Sequence, residues 1–168
     1  ESGPMKDWKL LTSNEYGSWR TRVILSADDE CTPTGGCSEA YHTVNTERLV
    51  PLTPPEWDIQ KIYLTEFAKV LGQKPAARRA FIADWSDGAA LVNYQGHGSP
   101  RQIADEVLFL GSDVPSLVNG TRLPVFTAFS CTVSEFDHTQ LQSMAEDLLS
   151  SSRGGAIAVM GATRPTFG

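Results

Sequence analysis

Residues 89–99 read Ala-Ala-Leu-Val-Asn-Tyr-Gln-Gly-His-Gly-Ser, an apolar run of strand length that stops at a histidine held between two glycines. The run is apolar nearly throughout instead of alternating, which is the pattern of a strand covered on both faces. Four other runs share that character: Arg22-Val23-Ile24-Leu25-Ser26, Lys61-Ile62-Tyr63-Leu64, Pro124-Val125-Phe126-Thr127-Ala128-Phe129 and Ala156-Ile157-Ala158-Val159-Met160. Helical patterns lie between them. Pro75 to Asp87 begins on a proline suited to a first turn, spaces Ala77, Phe81 and Trp85 four apart, and stops at Gly88. Thr139 to Arg153 puts Leu141, Met144, Ala145, Leu148 and Leu149 in one stripe, with Thr139 and Gln142 as a capping box and Gly154 beyond its end. Weaker patterns cover about Ser38 to Leu49 and a short stretch from Asp113 and Pro115 to Gly120. Strands alternating with helices predict an α/β fold with a mostly parallel sheet and helices on both faces. In such a fold the functional loops lie beyond the carboxyl ends of the strands.

Two of those loops carry nucleophilic chemistry. His97 follows the third run at once, and its flanking glycines leave room for a close backbone approach. Cys131 ends the fourth run, so a parallel sheet brings its thiol to the same edge as His97. A thiol with a nearby imidazole is the minimal pair for thiolate attack on a carbonyl. The Gly98 N–H is then placed to donate to an oxyanion. The plainer readings are a polar turn histidine and a cysteine buried as a small hydrophobe.

Composition narrows the rest. The chain has 168 residues, a formal net charge of −6, 40% hydrophobic content and three cysteines, which suits about one globular domain. Its 14 basic residues are scattered, which argues against nucleic acid as partner. No apolar run approaches the ~18 residues that a membrane-spanning helix needs. No P-loop or dinucleotide glycine pattern follows any strand, which disfavours a nucleotide-binding domain.

The stretches Leu91 to Gly98, Leu123 to Cys131 and Gly155 to Val159 together resemble the gingipain family of cysteine peptidases, within the caspase-like group. Trp19 to Asp29, Lys61 to Leu64 and the pair Phe136-Asp137 add to the resemblance, which spans about Trp19 to Arg164 and is nearest to the surface protease, or sortase, of type IX secretion. It implies a caspase-like three-layer sandwich and endopeptidase chemistry. His97 then protonates the leaving amine, Cys131 forms the thioester and the Gly98 N–H binds the oxyanion. It also implies protein substrates with C-terminal sorting domains, transfer of the acyl group to a surface amine as an alternative to hydrolysis, contact with other secretion-system subunits, and a location at the bacterial outer surface or outside the cell. Ser130 and Thr132 flank Cys131 where the family often has Thr or Ala before it and Glu after it. The alternative is a non-catalytic caspase-like scaffold or binding module of a secretion apparatus. The chain is expected to be one peptidase domain cut from a larger exported protein, with a lead-in of about 1–18 and a core at 19–164.

Asp29, Glu30 and Glu39 are equivalent candidates for an acid that orients His97. Thr163 and Arg164 follow the fifth run and are candidate pocket residues. Cys31 and Cys37 bracket a turn-prone Thr-Pro-Thr-Gly-Gly and are candidates for a disulfide, leaving Cys131 as the free thiol. Asp28, Asp29 and Glu30 offer hard oxygens to calcium, although a solvated acidic turn explains them as well and no other cofactor is expected. Asn119-Gly120-Thr121 matches a glycosylation acceptor, with Gly120 already serving as a helix stop. Trp57, Trp85, Phe81 and Phe109 are expected in the core, and Arg78-Arg79 on a solvated helix face.

Overall fold

The computed structural model describes residues 17–29 and 41–166. Its strands, in chain order, are β1 (Arg22–Ala27), β2 (Asp58–Tyr63), β3 (Leu91–Gln95), β4 (Gly98–Ser99), β5 (Gln102–Ile103), β6 (Phe109–Leu110), β7 (Val125–Phe129) and β8 (Ala158–Gly161). The helices are α1 (Tyr41–Glu47), α2 (Pro75–Asp87) and α3 (Met144–Ser150). All five sequence runs thus become strands, and together they form one sheet in the order β2-β1-β3-β7-β8 with every pair parallel. The three short strands β4, β5 and β6 make a separate antiparallel sheet directly after β3. The strand order turns at β1 and β3, and crevices outside the carboxyl ends of such neighbours are where α/β sheets bind ligands.

Alternate residues of β1 serve two cores. Ile24 faces a large cluster with Phe81, Trp85, Phe109, Phe126, Met144 and Leu148, while Val23, Leu25 and Ala27 face a smaller one with Tyr63 and the half-buried Trp57. Trp85 anchors the large cluster: its ring stacks on Phe109 with centroids 5.6 Å apart, lies 5.1 Å from Phe126, and its indole N–H donates to the Gly155 carbonyl at 3.0 Å. An indole buried this deeply needs that acceptor. α2 runs over the predicted residues, buries Ala77, Phe81 and Trp85, and ends at Gly88 with φ +90°. On the other side of the sheet α1 packs against β1 and β3, which gives the layered arrangement expected of the α/β class. The first residues of the pattern predicted from Ser38 lie outside the described residues.

Three expectations change. The helix predicted over 139–153 is confined to Met144–Ser150, because Ser143 and Glu146, not Thr139 and Gln142, form the capping box. The preceding residues are held extended: Arg101 donates to the Gln142 carbonyl at 2.7 Å, and the Met144 N–H donates to the Pro100 carbonyl at 2.6 Å. Leu149 consequently stays exposed. The stretch at Asp113 is a 3-10 turn, Gly111–Ser116, and Arg78 leaves the solvated face to make a two-pronged pair with Asp113 at 2.9 and 2.5 Å. The Asn119 side chain is buried and bonded to Gly155 and Arg122, so this asparagine is a structural strut with no room for a glycan.

Candidate active site

The last paired residues of β3 and β7 are Gln95 and Phe129. The Gly96 N–H still donates to the Phe129 carbonyl at 3.2 Å, and then the two chains part. His97 and Cys131 each lie two residues past that final pair, on neighbouring parallel strands, and both line a cavity of about 570 Å³. His42 of α1 and Gly161 and Ala162 at the end of β8 form its other walls.

The main chain of His97 is fixed from several sides. Its N–H donates to Asp28 Oδ2 at 3.0 Å, and its carbonyl accepts from the Ala104 N–H at 2.9 Å and the Tyr94 hydroxyl at 2.7 Å. Tyr94 Oη also lies 3.2 Å from Asp28 Oδ2. Asp28 is the first residue past β1 and is only 1% exposed. Burial pushes its carboxyl above the ordinary aspartate value, against the downward pull of the His97 and Asp29 N–H donors. The glycines around His97 serve this arrangement. A Cβ at Gly96, whose φ is +154°, would stand 2.4 Å from the Asp28 Cβ, and one at Gly98 would stand 2.4 Å from Ser130 Oγ and 3.2 Å from the Cys131 carbonyl oxygen. The close approach predicted there is therefore made first by the protein's own acid and its own nucleophile strand.

Among the described residues, no carboxylate touches the His97 ring. Asp29, one of the three acids predicted to orient it, is instead paired in the interior with Lys74, which also donates to the Leu64 carbonyl. Glu30 and Glu39 lie outside the described residues, as do Cys31 and Cys37. Asp28 is the acid that reaches His97, through the backbone. Its signal in the sequence was its place, one residue past a strand that neighbours β3. The ring of His97 meets the ring of His42 instead, with centroids 5.7 Å apart and planes 88° to one another. No sequence signal marks His42, because only the packing of α1 on β3 brings it there.

Of the three carboxylates offered to calcium, Asp28 and Asp29 do lie together, and their third neighbour is Glu106, with ligand atoms all within 4.8 Å. Lys74 on Asp29 and Lys69 on Glu106, at 2.5 Å, supply countercharge to the group.

Cys131 is half-buried. Its Sγ lies 3.4 Å from the Thr166 carbonyl oxygen, as donor, and 3.4 Å from the Thr166 N–H, as acceptor. The following residue, Thr132, has φ +48°, a left-handed turn that a β-branched residue adopts only under constraint. That constraint comes from Val133, which is buried and accepts from the Ala145 N–H at 3.4 Å, and from Ser134, whose N–H donates to the Ala162 carbonyl at 3.1 Å. The pocket residues predicted here shift slightly. Gly161, Ala162 and Thr166 line the cavity, whereas Arg164 turns away to a two-pronged pair with Asp137 at 2.9 and 2.5 Å, and Thr163 offers its carbonyl to the same guanidinium.

A family model described as peptidase family C25 matches residues 6–168. The chain belongs to peptidase family C25. The fold of the C25 chain is that of solved gingipain structures. It is similar to the crystal structure of the Arg-specific cysteine proteinase gingipain R (RgpB), with a TM-score of 0.66 and 23% identity over 89% of this chain and 33% of that one. A complex of Porphyromonas gingivalis RgpB pro- and mature domains matches with a TM-score of 0.66 and 21% identity, over 89% of this chain and 34% of that one. A structure titled only as a protease matches with a TM-score of 0.58 and 19% identity, over 89% of this chain and 30% of that one. The C25 chain spans about a third of the length of these proteins. No curated protein sequence matches it.

Proposed function

We propose that this chain carries the catalytic dyad of a cysteine endopeptidase. The observation that supports it most is the placement of Cys131 and His97 two residues beyond one parallel strand pair, facing one cavity. The Cys131 thiolate attacks the scissile carbonyl carbon, forming a C–S bond while the carbonyl electrons move to oxygen. The Gly98 N–H donates to that oxyanion. Collapse of the intermediate breaks the C–N bond, and the His97 imidazolium gives its proton to the departing amine. Water, activated by the now neutral imidazole, then cleaves the thioester. An amine in place of water gives transpeptidation by the same steps.

The substrates we infer are exported proteins with C-terminal sorting domains, processed at the outer surface by a type IX secretion system, with other subunits of that system as partners. The segments from Trp19 to Arg164 that resemble its surface protease support this assignment. Among the described residues no helix is long and apolar enough to cross a membrane. The test is labelling with a peptidyl acyloxymethyl ketone followed by peptide mapping. The label is expected on Cys131, and Cys131→Ala is expected to stop both labelling and release of the sorting domain. Continued release by that variant overturns the assignment.

A further inference from the structure

Every polar main-chain atom of His97 is anchored, yet among the described residues no hydrogen bond reaches either ring nitrogen. The ring is exposed on its open side and meets one aromatic neighbour, His42. We propose that His42 is a positioning residue for the peptidase reaction, its ring set edge to face against His97 so that the imidazole is held toward the thiol. The inference rests on the Cys131–His97 dyad proposed above.

The geometry is that of a genuine ring pair. A centroid separation of 5.7 Å at 88° falls in the range that aromatic pairs prefer, with the positive rim of one ring against the π-face of the other. The His42 backbone is itself secure, because α1 packs on β1 and β3, the two strands whose ends supply Asp28 and His97. Tyr41 continues the chain of rings with its centroid 6.1 Å from that of His42. An exposed histidine on a turn would otherwise sample several rotamers, and only some put a ring nitrogen within hydrogen-bond reach of Sγ. Asp28 settles where the residue starts, and His42 settles where its ring points. His42 also lines the cavity, so direct contact with substrate is the competing role, and the two roles differ in what they change.

The test uses the complete protein, with iodoacetamide alkylation of Cys131 at neutral pH and turnover of the best amide from a fluorogenic tetrapeptide library. His42→Ala is expected to lower both the alkylation rate and kcat about tenfold, equivalent to about 1.4 kcal/mol, with KM little changed. His42→Phe, which keeps a ring in the same space, is expected to restore both to within about twofold of the parent, and His42→Gln to fall with alanine. Because His42 is half-buried, melting temperatures are recorded for all three, and the contrast between Phe and Gln carries the test where alanine fails to fold. A rise in KM with parental alkylation, or equal behaviour of Phe and Gln, overturns the inference. If Cys131 in the parent reacts no faster than a free thiol, or Cys131→Ala retains turnover, it is the dyad itself that fails, and the positioning role falls with it.

Discussion

Replacing Asp28 by asparagine removes a charge and changes almost no volume, so its effect reads the hydrogen-bond pattern. Both carboxylate oxygens act as acceptors, Oδ1 for the Asp29 N–H at 2.9 Å and Oδ2 for the His97 N–H at 3.0 Å. An asparagine has one acceptor oxygen, so its amide NH2 must face one of those two donors. If the oxygen stays on Asp29, the His97 N–H loses its acceptor on a side chain that is itself only 1% exposed. A buried donor left unpaired costs about 1–3 kcal/mol, or roughly one to two factors of ten in a rate that depends on His97 placement. Neutralising a buried carboxylate offsets part of this cost in global stability, so the alkylation rate of Cys131 should fall by more than the unfolding free energy does.

The pH dependence adds a second reading of opposite sign. Because burial raises the folded-state value of Asp28, the folded protein keeps a proton that the unfolded chain releases as pH climbs from about 3.8 toward that raised value. Its contribution to stability therefore falls with rising pH in that window, by at most about 1.36 kcal/mol per pH unit. The carboxylate that accepts from His97 appears over the same window, so reactivity attributable to Asp28 rises. The assay is iodoacetamide alkylation beside urea melts between pH 3.5 and 7, a range that brackets the ordinary aspartate value of 3.8. Parental alkylation by Asp28→Asn, with the acid limb of the profile unchanged, would refute the reasoning.

Two further outcomes follow from packing. Gly98→Ala should fold, since Ser130 can turn its hydroxyl away, but the new methyl starts 2.4 Å from Ser130 Oγ and 3.2 Å from the Cys131 carbonyl oxygen. Alkylation and turnover should both drop sharply in that variant, and parental rates would show that the approach of 98 to the nucleophile strand is loose. Lys74→Met removes the cation that pairs with the buried Asp29 and donates to the Leu64 carbonyl, which should cost about 3–5 kcal/mol in urea melts, while adding Asp29→Asn should recover most of that loss. Additive losses in the double variant would argue that Lys74 and Asp29 do not interact.

The sheet was legible because each of its five strands contains a short apolar run and because α2 carries Pro75 at its start and Gly88 at its end. His97 and Cys131 were legible for a related reason, since a residue that ends a strand in a parallel sheet has its edge fixed by the strand itself. The capping of α3 was misplaced because Thr139 with Gln142 and Ser143 with Glu146 both fit the local pattern, and only the contacts of Arg101 and Pro100 decide between them. The same limit hid the surroundings of His97. Asp28, Tyr94 and His42 reach it from β1, β3 and α1, and no local spacing relates those three elements.

The pairing of Gln95 with Phe129 has a wider consequence. Neighbouring strands stand about 4.8 Å apart whatever sequence joins them. The points from which the two loops leave the sheet toward thiol and imidazole are therefore set by a backbone ladder. Exposed positions of the excursion between β3 and β7 can acquire new side chains while the reacting pair stays in register. A scaffold of this kind can change what it cuts by editing connectors, without renegotiating how it cuts.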